Sequence, residues 1–140
     1  MIAAALARFL LADTGSNAVK VRTALATYAG GAAVFTRDPP GDSARPCLVI
    51  RQTGGAPWDT REDLGEESTA EVEVLGDKPA AETALRALAW LVWKALNRAT
   101  IGPYLPEGKA DVGCVADPPT RTPDDAGFPG YTVRVEVRAM

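Results

Sequence analysis

The stretch Tyr131-Thr132-Val133-Arg134-Val135-Glu136-Val137-Arg138 alternates apolar and polar residues without a break. Successive side chains of a strand point to opposite faces. Tyr131, Val133, Val135 and Val137 therefore face a core, and Thr132, Arg134, Glu136 and Arg138 face water or a partner. Such a strand belongs to a sheet that is covered on one side only. The cover is supplied by the strongest helical signal in the chain. It starts at Gly76-Asp77-Lys78-Pro79, with Pro79 in the first turn, and runs to about Arg98. Ala81, Leu85, Leu88, Val92, Ala95 and Leu96 make one apolar stripe along it.

The remaining elements fit the same plan. Ile2 to Asp13 reads as a helix with Ile2, Ala5, Leu6, Phe9 and Leu10 on one face. Gly15 stops it, and Ser16 or Asn17 caps a second helix whose stripe is Val21, Ala24, Leu25 and Tyr28, ended by Gly30-Gly31. Ala33 to Thr36 is a short strand. Cys47 to Gln52 is a strand apolar on both faces, hence central. Thr69 to Leu75 is another, with Ala70, Val72 and Val74 alternating with Glu71 and Glu73. Asp111 to Ala116 is a further strand. The expected fold is a single α+β domain over residues 1–140, an antiparallel or mixed sheet of four to five strands with helices on one face.

A chain of 140 residues can bury about 70% of its unfolded surface, so no metal or disulfide is needed to hold it. Its net charge of −3 carries no footprint of phosphate neutralisation. The apolar start lacks a basic leader region, with Arg8 inside the apolar stretch, and no run reaches the roughly 18 residues of a spanning helix. The expectation is a protein neither exported by a recognisable signal nor embedded in a membrane.

Catalytic equipment is missing from the pattern. With no histidine in the chain, Ser-His and Cys-His activation and most zinc sites are excluded. Cys47 and Cys114 match no zinc or redox spacing and read as buried thiols. Asp59, Glu62, Asp63, Glu66 and Glu67 cluster without a calcium-loop pattern and read as a solvated acidic loop, as does Asp124-Asp125. Gly54-Gly55-Ala56 is followed by neither a Lys-Ser pair nor a helix start, so it is no phosphate cradle. Ser16, Ser43 and Ser68 sit in no nucleophile elbow. No catalytic residue, cofactor or metal is expected.

Contact surface is what remains. On the long helix Trp90 lies opposite the apolar stripe, beside Thr83, Ala87 and Lys94, and Trp93 lies on the flank between Glu82 and Arg86. Aromatics on a polar helix face either anchor an interface or are covered by the first helix; both readings stay open. Three polar, Pro- and Gly-rich loops, Arg37–Pro46, Thr53–Glu67 and Asp117–Gly130, are long for a compact domain. The expected subunit or partner contacts are Trp58, Trp90, Trp93, Arg37, Asp63 and Phe128.

In its order of elements the chain resembles the tail-completion, or tail-terminator, proteins of long-tailed bacteriophages and gene-transfer particles. The likeness is carried by the opening helix followed by Val34-Phe35, by Arg45-Pro46-Cys47-Leu48-Val49-Ile50 leading to Gln52-Thr53-Gly54-Gly55, and by Ala70–Leu75 entering the long helix, with a late aromatic-led strand Tyr131–Val137. The resemblance implies a structural virion protein forming a ring, a hexamer in that family. The ring caps the tail tube at its head-proximal end, stops tube polymerisation and joins the tail to the filled head. Implied partners are further copies of the chain, the tail tube protein and a head–tail connector or neck protein, with assembly in the host cytoplasm. DNA would pass through the lumen without specific binding, and Glu71 and Glu73 would face that lumen. The alternatives are a connector on the portal side, a non-viral dimeric α+β binding module, and an enzyme using carboxylates alone.

Overall fold

The computed structural model describes residues 2–28, 30–36, 46–55, 68–76, 82–101, 104, 112–122 and 129–139. In chain order the elements are α1 (Ile2–Ala12), α2 (Ser16–Ala24), β1 (Thr27–Tyr28), β2 (Gly31–Ala32), β3 (Val34–Phe35), β4 (Cys47–Gly55), β5 (Ser68–Leu75), α3 (Glu82–Leu96), β6 (Val112–Ala116), β7 (Thr120–Arg121) and β8 (Gly130–Ala139). The main sheet has the order β3-β4-β5-β8-β6, with β7 also paired to β8. Among the described strands only β3 and β4 run parallel, and the other pairings are antiparallel. The expected α+β fold with a mixed sheet is what forms, and the sheet has six strands because β7 lies inside the segment expected to be loop.

The alternation in β8 sets the layering. Tyr131, Val133, Val135 and Val137 are buried, whereas Arg134 is exposed and Thr132 and Glu136 are half-buried. The same face of the sheet is continued by Leu48 and Ile50 of β4, Ala70, Val72 and Val74 of β5, and Cys114 and Ala116 of β6. Onto it pack Leu6, Phe9 and Leu10 of α1, Val21 of α2, and Leu85, Leu88, Val92 and Leu96 of α3. Helix α1 lies over β3, β4 and β5, α3 over β5, β6 and β8, and α2 packs on both helices. The helical layer thus covers one face, as the period-2 pattern required.

The second helix is shorter than its stripe predicts. It ends at Ala24, and Leu25 turns extended. Tyr28 leaves the helical stripe altogether and pairs with Gly31 in a hairpin. Gly30 does not end a helix but closes that hairpin at φ 86, a conformation favoured by glycine. The competing force is a second, smaller core on the other face of β4. Cys47 and Val49 point away from the helices and are fully buried with Ala33 and Leu75, and Ala26, Tyr28 and Phe35 pack on them. Tyr28 and Phe35 meet edge to face at 5.3 Å. Ala26 donates its N–H to the Pro46 carbonyl, and Leu48 donates to that of Ala33. Apolar area and backbone hydrogen bonds here outweigh the helical preference at 25–28, where only Leu25 and Ala26 are strong helix formers and Thr27 and Tyr28 are β-branched and aromatic.

Where β7 and β8 meet, the backbones approach closely. A Cβ on Gly130 would come within 2.6 Å of the Thr122 carbonyl oxygen. At Gly31 a Cβ would meet nothing within 4 Å. Gly130→Ala is therefore expected to destabilise by about 1–3 kcal/mol through forced backbone displacement. Gly31→Ala should stay within about 0.5 kcal/mol. Urea denaturation of the two variants checks this contrast, and equal losses would contradict the packing described.

Candidate functional site

Two surfaces carry the chemistry available to this protein, the outward side of α3 and the helix-free face of the sheet. Helix α3 is positioned from both ends. At its start Glu82 accepts two hydrogen bonds from Arg121 of β7, at 2.9 and 2.7 Å, and Arg86 lies 3.9 Å away. An acidic group in the first turn also suits the positive end of the helix. Arg86 in turn donates to the Tyr131 hydroxyl at 3.3 Å, and this bond is the main reason its guanidinium is held charged more firmly than usual.

At its other end α3 grips the edge strand β6. Trp93 donates its indole N–H to the Ala116 carbonyl at 2.9 Å, and Asn97 accepts the Ala116 N–H at 3.1 Å. Arg98 takes a left-handed conformation, φ 65, which lets its N–H reach the Cys114 carbonyl at 2.8 Å. Cys114 then donates to the Ala99 carbonyl at 2.8 Å. The outer edge of β6 is thereby satisfied by a helix end, one way of keeping an edge strand from pairing with another chain. Trp93 belongs to this clamp: its ring is half-buried and its indole N–H is taken up within the chain. Asn97 was not singled out in the sequence, and no periodicity signal marks a side chain that caps a distant strand.

Trp90 is different. It is 41% exposed, leans edge to face on Trp93 at 5.5 Å, and shares the outer side of α3 with exposed Thr83, Ala87 and Lys94. The first helix does not cover it. Trp58, Arg37, Asp63 and Phe128 lie outside the described residues, as do the acidic cluster around Asp63, the Asp124-Asp125 pair and the helix start at Asp77–Pro79.

The helix-free face of the sheet has its charges arranged in rows. Arg51, Glu71 and Arg134 are directly opposite one another across β4, β5 and β8. Arg51 also reaches Glu73 at 3.1 Å. Two threonine rungs, Thr53 with Thr69 at 3.1 Å and Thr122 with Thr132 at 2.7 Å, extend the pattern. Glu71 and Glu73 therefore stand among arginines rather than on a uniformly acidic face. Beside β8, Glu71, Thr132 and Arg134 floor a groove of about 430 Å³ walled by Asp117, Pro118, Thr120 and Thr122. Among the described residues no three His, Cys, Asp or Glu side chains stand close enough to hold a metal ion. Burial pushes the Cys114 thiol up to about 12, so it stays protonated at neutral pH, and Cys47 is buried as well. Among the described residues no helix is long and apolar enough to cross a membrane.

The two tryptophans should separate cleanly in a stability measurement. Trp93→Phe removes the donor to the carbonyl of buried Ala116 and is expected to cost about 1–3 kcal/mol. Trp90→Ala removes a surface ring and should cost under about 1 kcal/mol in the isolated chain. Thermal unfolding followed by circular dichroism checks the order, and a larger loss at Trp90 would contradict it.

No curated protein matches the chain. A family model for tail completion protein gp17 matches residues 17–140, which takes in every strand, α3 and nearly all of α2. This protein belongs to the tail completion protein gp17 family, a family of structural components of phage tails.

Proposed function

We propose that the protein is a tail terminator. Copies of the chain, six in number on this reading, close into a ring that caps the tail tube at its head-proximal end, ends tube growth and joins the tail to the filled head. The observation that carries this is the family match across residues 17–140. Its partners are then further copies of itself, the tail tube protein and a head–tail connector or neck protein, met in the host cytoplasm during assembly.

A closed ring needs two unlike patches per subunit, because each copy offers one to the neighbour ahead and the other to the neighbour behind. The outer side of α3, with an exposed tryptophan, suits one of them, since buried tryptophans dominate interface energetics. On this reading the helix-free sheet face is turned to the lumen. Its chemistry supports passage of DNA without specific binding. Arg51 and Arg134 would each attract a phosphate, and Glu71 and Glu73 beside them cancel that attraction. Near-balanced charge leaves the polyanion neither held nor strongly repelled.

Native mass spectrometry of the purified protein should show a six-fold species, and adding it to polymerising tail tube protein should stop elongation at one end. A chain that stays single at tens of micromolar, or that leaves tube growth unaltered, would rule the terminator out. Binding to a connector without any effect on the tube would favour the neck reading instead.

The lumen has its own check. Glu71→Lys with Glu73→Lys leaves the face with four cations and no acid among these residues. Retention of duplex DNA by assembled rings should rise at least tenfold at low salt and fall back as salt increases. Unchanged retention would remove these residues from the lumen.

A further inference from the structure

Charge is segregated between the helical layer and one particular segment of this chain. Residues 2–24 and 82–98, which hold the three described helices, carry six cations (Arg8, Lys20, Arg22, Arg86, Lys94, Arg98) against two anions, Asp13 and Glu82. The whole chain is nevertheless at −3. The strongest compensating acidic run is 56–67, with Asp59, Glu62, Asp63, Glu66 and Glu67 against Arg61 alone. The segment 37–45 balances Arg37 and Arg45 against Asp38 and Asp42 and offers no such contrast.

The cations differ in how committed they are. Arg22 donates to the Leu10 carbonyl at 2.9 Å, Arg8 to that of Tyr104, and Arg86 is bound to Tyr131 and near Glu82. Lys94 is exposed and has no ion-pair partner among the described residues, and the same holds for the Arg98 side chain, two residues past the end of α3. Lys94 follows Trp90 at the i+4 position, with the small Ala87 one turn before it, so ring and ammonium share one side of α3, and Arg98 follows just past the end of that helix. The acidic segment has matching apolar residues, Pro57, Trp58 and Leu64. It leaves and rejoins the sheet at the pair Gly55 and Ser68. The sheet's own exposed charges make a poorer counterpart, since Arg51, Glu71, Glu73 and Arg134 already neutralise one another.

We propose that the outer side of α3, centred on Trp90 with Lys94 and Arg98, is the docking surface for the acidic segment 56–67 of a second copy of this chain. The proposal rests on the ring reading in needing copies to meet, and it names the two unlike patches that such a ring requires. Apolar contact at Trp90 supplies affinity, and the carboxylates opposite Lys94 and Arg98 select the partner and speed encounter.

Two charge-reversed variants test it. One carries Lys94→Glu and Arg98→Glu; the other carries Glu62→Lys, Asp63→Lys, Glu66→Lys and Glu67→Lys. Each alone should remain single-copy, with association weakened at least about 100-fold and with its circular dichroism unchanged. Mixed together they should assemble in equal numbers with the two variants alternating, because each junction between unlike variants then sets opposite charges against one another. Both sets of changes in one chain should restore the full assembly. Trp90→Ala should weaken association at least about tenfold with only the small loss of melting temperature in the isolated chain that its surface position predicts. Rings that persist unchanged in the variants overturn this docking and leave the terminator reading standing. A wild-type chain that never associates overturns both. Restoration in the combined chain without any assembly in the mixture means the segment binds its own chain, and also overturns the proposal.

Discussion

Strand β8 is the element on which the rest of the described structure depends. It pairs with β5 on one side and with β6 and β7 on the other, and it gives four buried side chains to the main core. Because its side chains alternate strictly, one register commits every residue: Val133 and Val135 inward means Arg134 outward. A slip by a single residue would bury Arg134 and Glu136 unpaired against α3, at a cost of several kcal/mol each. The helices need only supply apolar cover to that face. Tyr131 ties the two layers together, since its ring is in the core while its hydroxyl accepts the hydrogen bond from Arg86.

That dependence explains how much could be read from the residues alone. Period-2 alternation at 131–138 and period-3.6 recurrence at 82–96 are properties of backbone geometry, so β8, α3 and the one-sided layering were legible. Cys47–Ile50, apolar on both faces, was correctly read as interior, and the reason is visible in the two cores that β4 separates. Tyr28 was misread because its position continued a helical stripe while its decisive contact, Phe35, lies beyond a turn. Thr120–Arg121 was read as loop because Pro118-Pro119 dominates the local pattern; the strand exists because Arg121 reaches Glu82 of α3 and Gly130 lets the backbones close. Trp93 and Asn97 were illegible as a pair for the same reason: both act on Ala116, a residue remote in sequence and silent in its own side chain.

The clamp on β6 also bears on how the molecule meets others. Sheet edges are the ordinary route to strand-by-strand association, and the backbone groups of Cys114 and Ala116 are already spent on Arg98, Ala99, Trp93 and Asn97. Extension of the sheet through β6 would require these bonds to be broken first. Contacts on this side of the protein must therefore be made by side chains. The helix end that closes the edge is the same one that carries Lys94 and Arg98, so edge protection and a cationic surface come from a single stretch of chain.

The two faces divide the remaining work by how their polar groups are satisfied. On the helix-free face, Arg51 with Glu73, Glu71 between two arginines, and the paired threonines meet one another's needs within the sheet. Such a face exposes charge yet has little left to offer, and a ligand would have to displace existing pairs to gain new ones. The outer side of α3 is the reverse case. Its Lys94 is unpaired among the described residues, and its Trp90 keeps a large apolar ring in water, leaned on Trp93 but not enclosed. Ring burial and pairing of that ammonium both become favourable only when something arrives. A molecule with one self-satisfied face and one unsatisfied face is suited to being held by its helical side while its sheet side is passed over, which is the division of labour that the proposed ring around DNA would require.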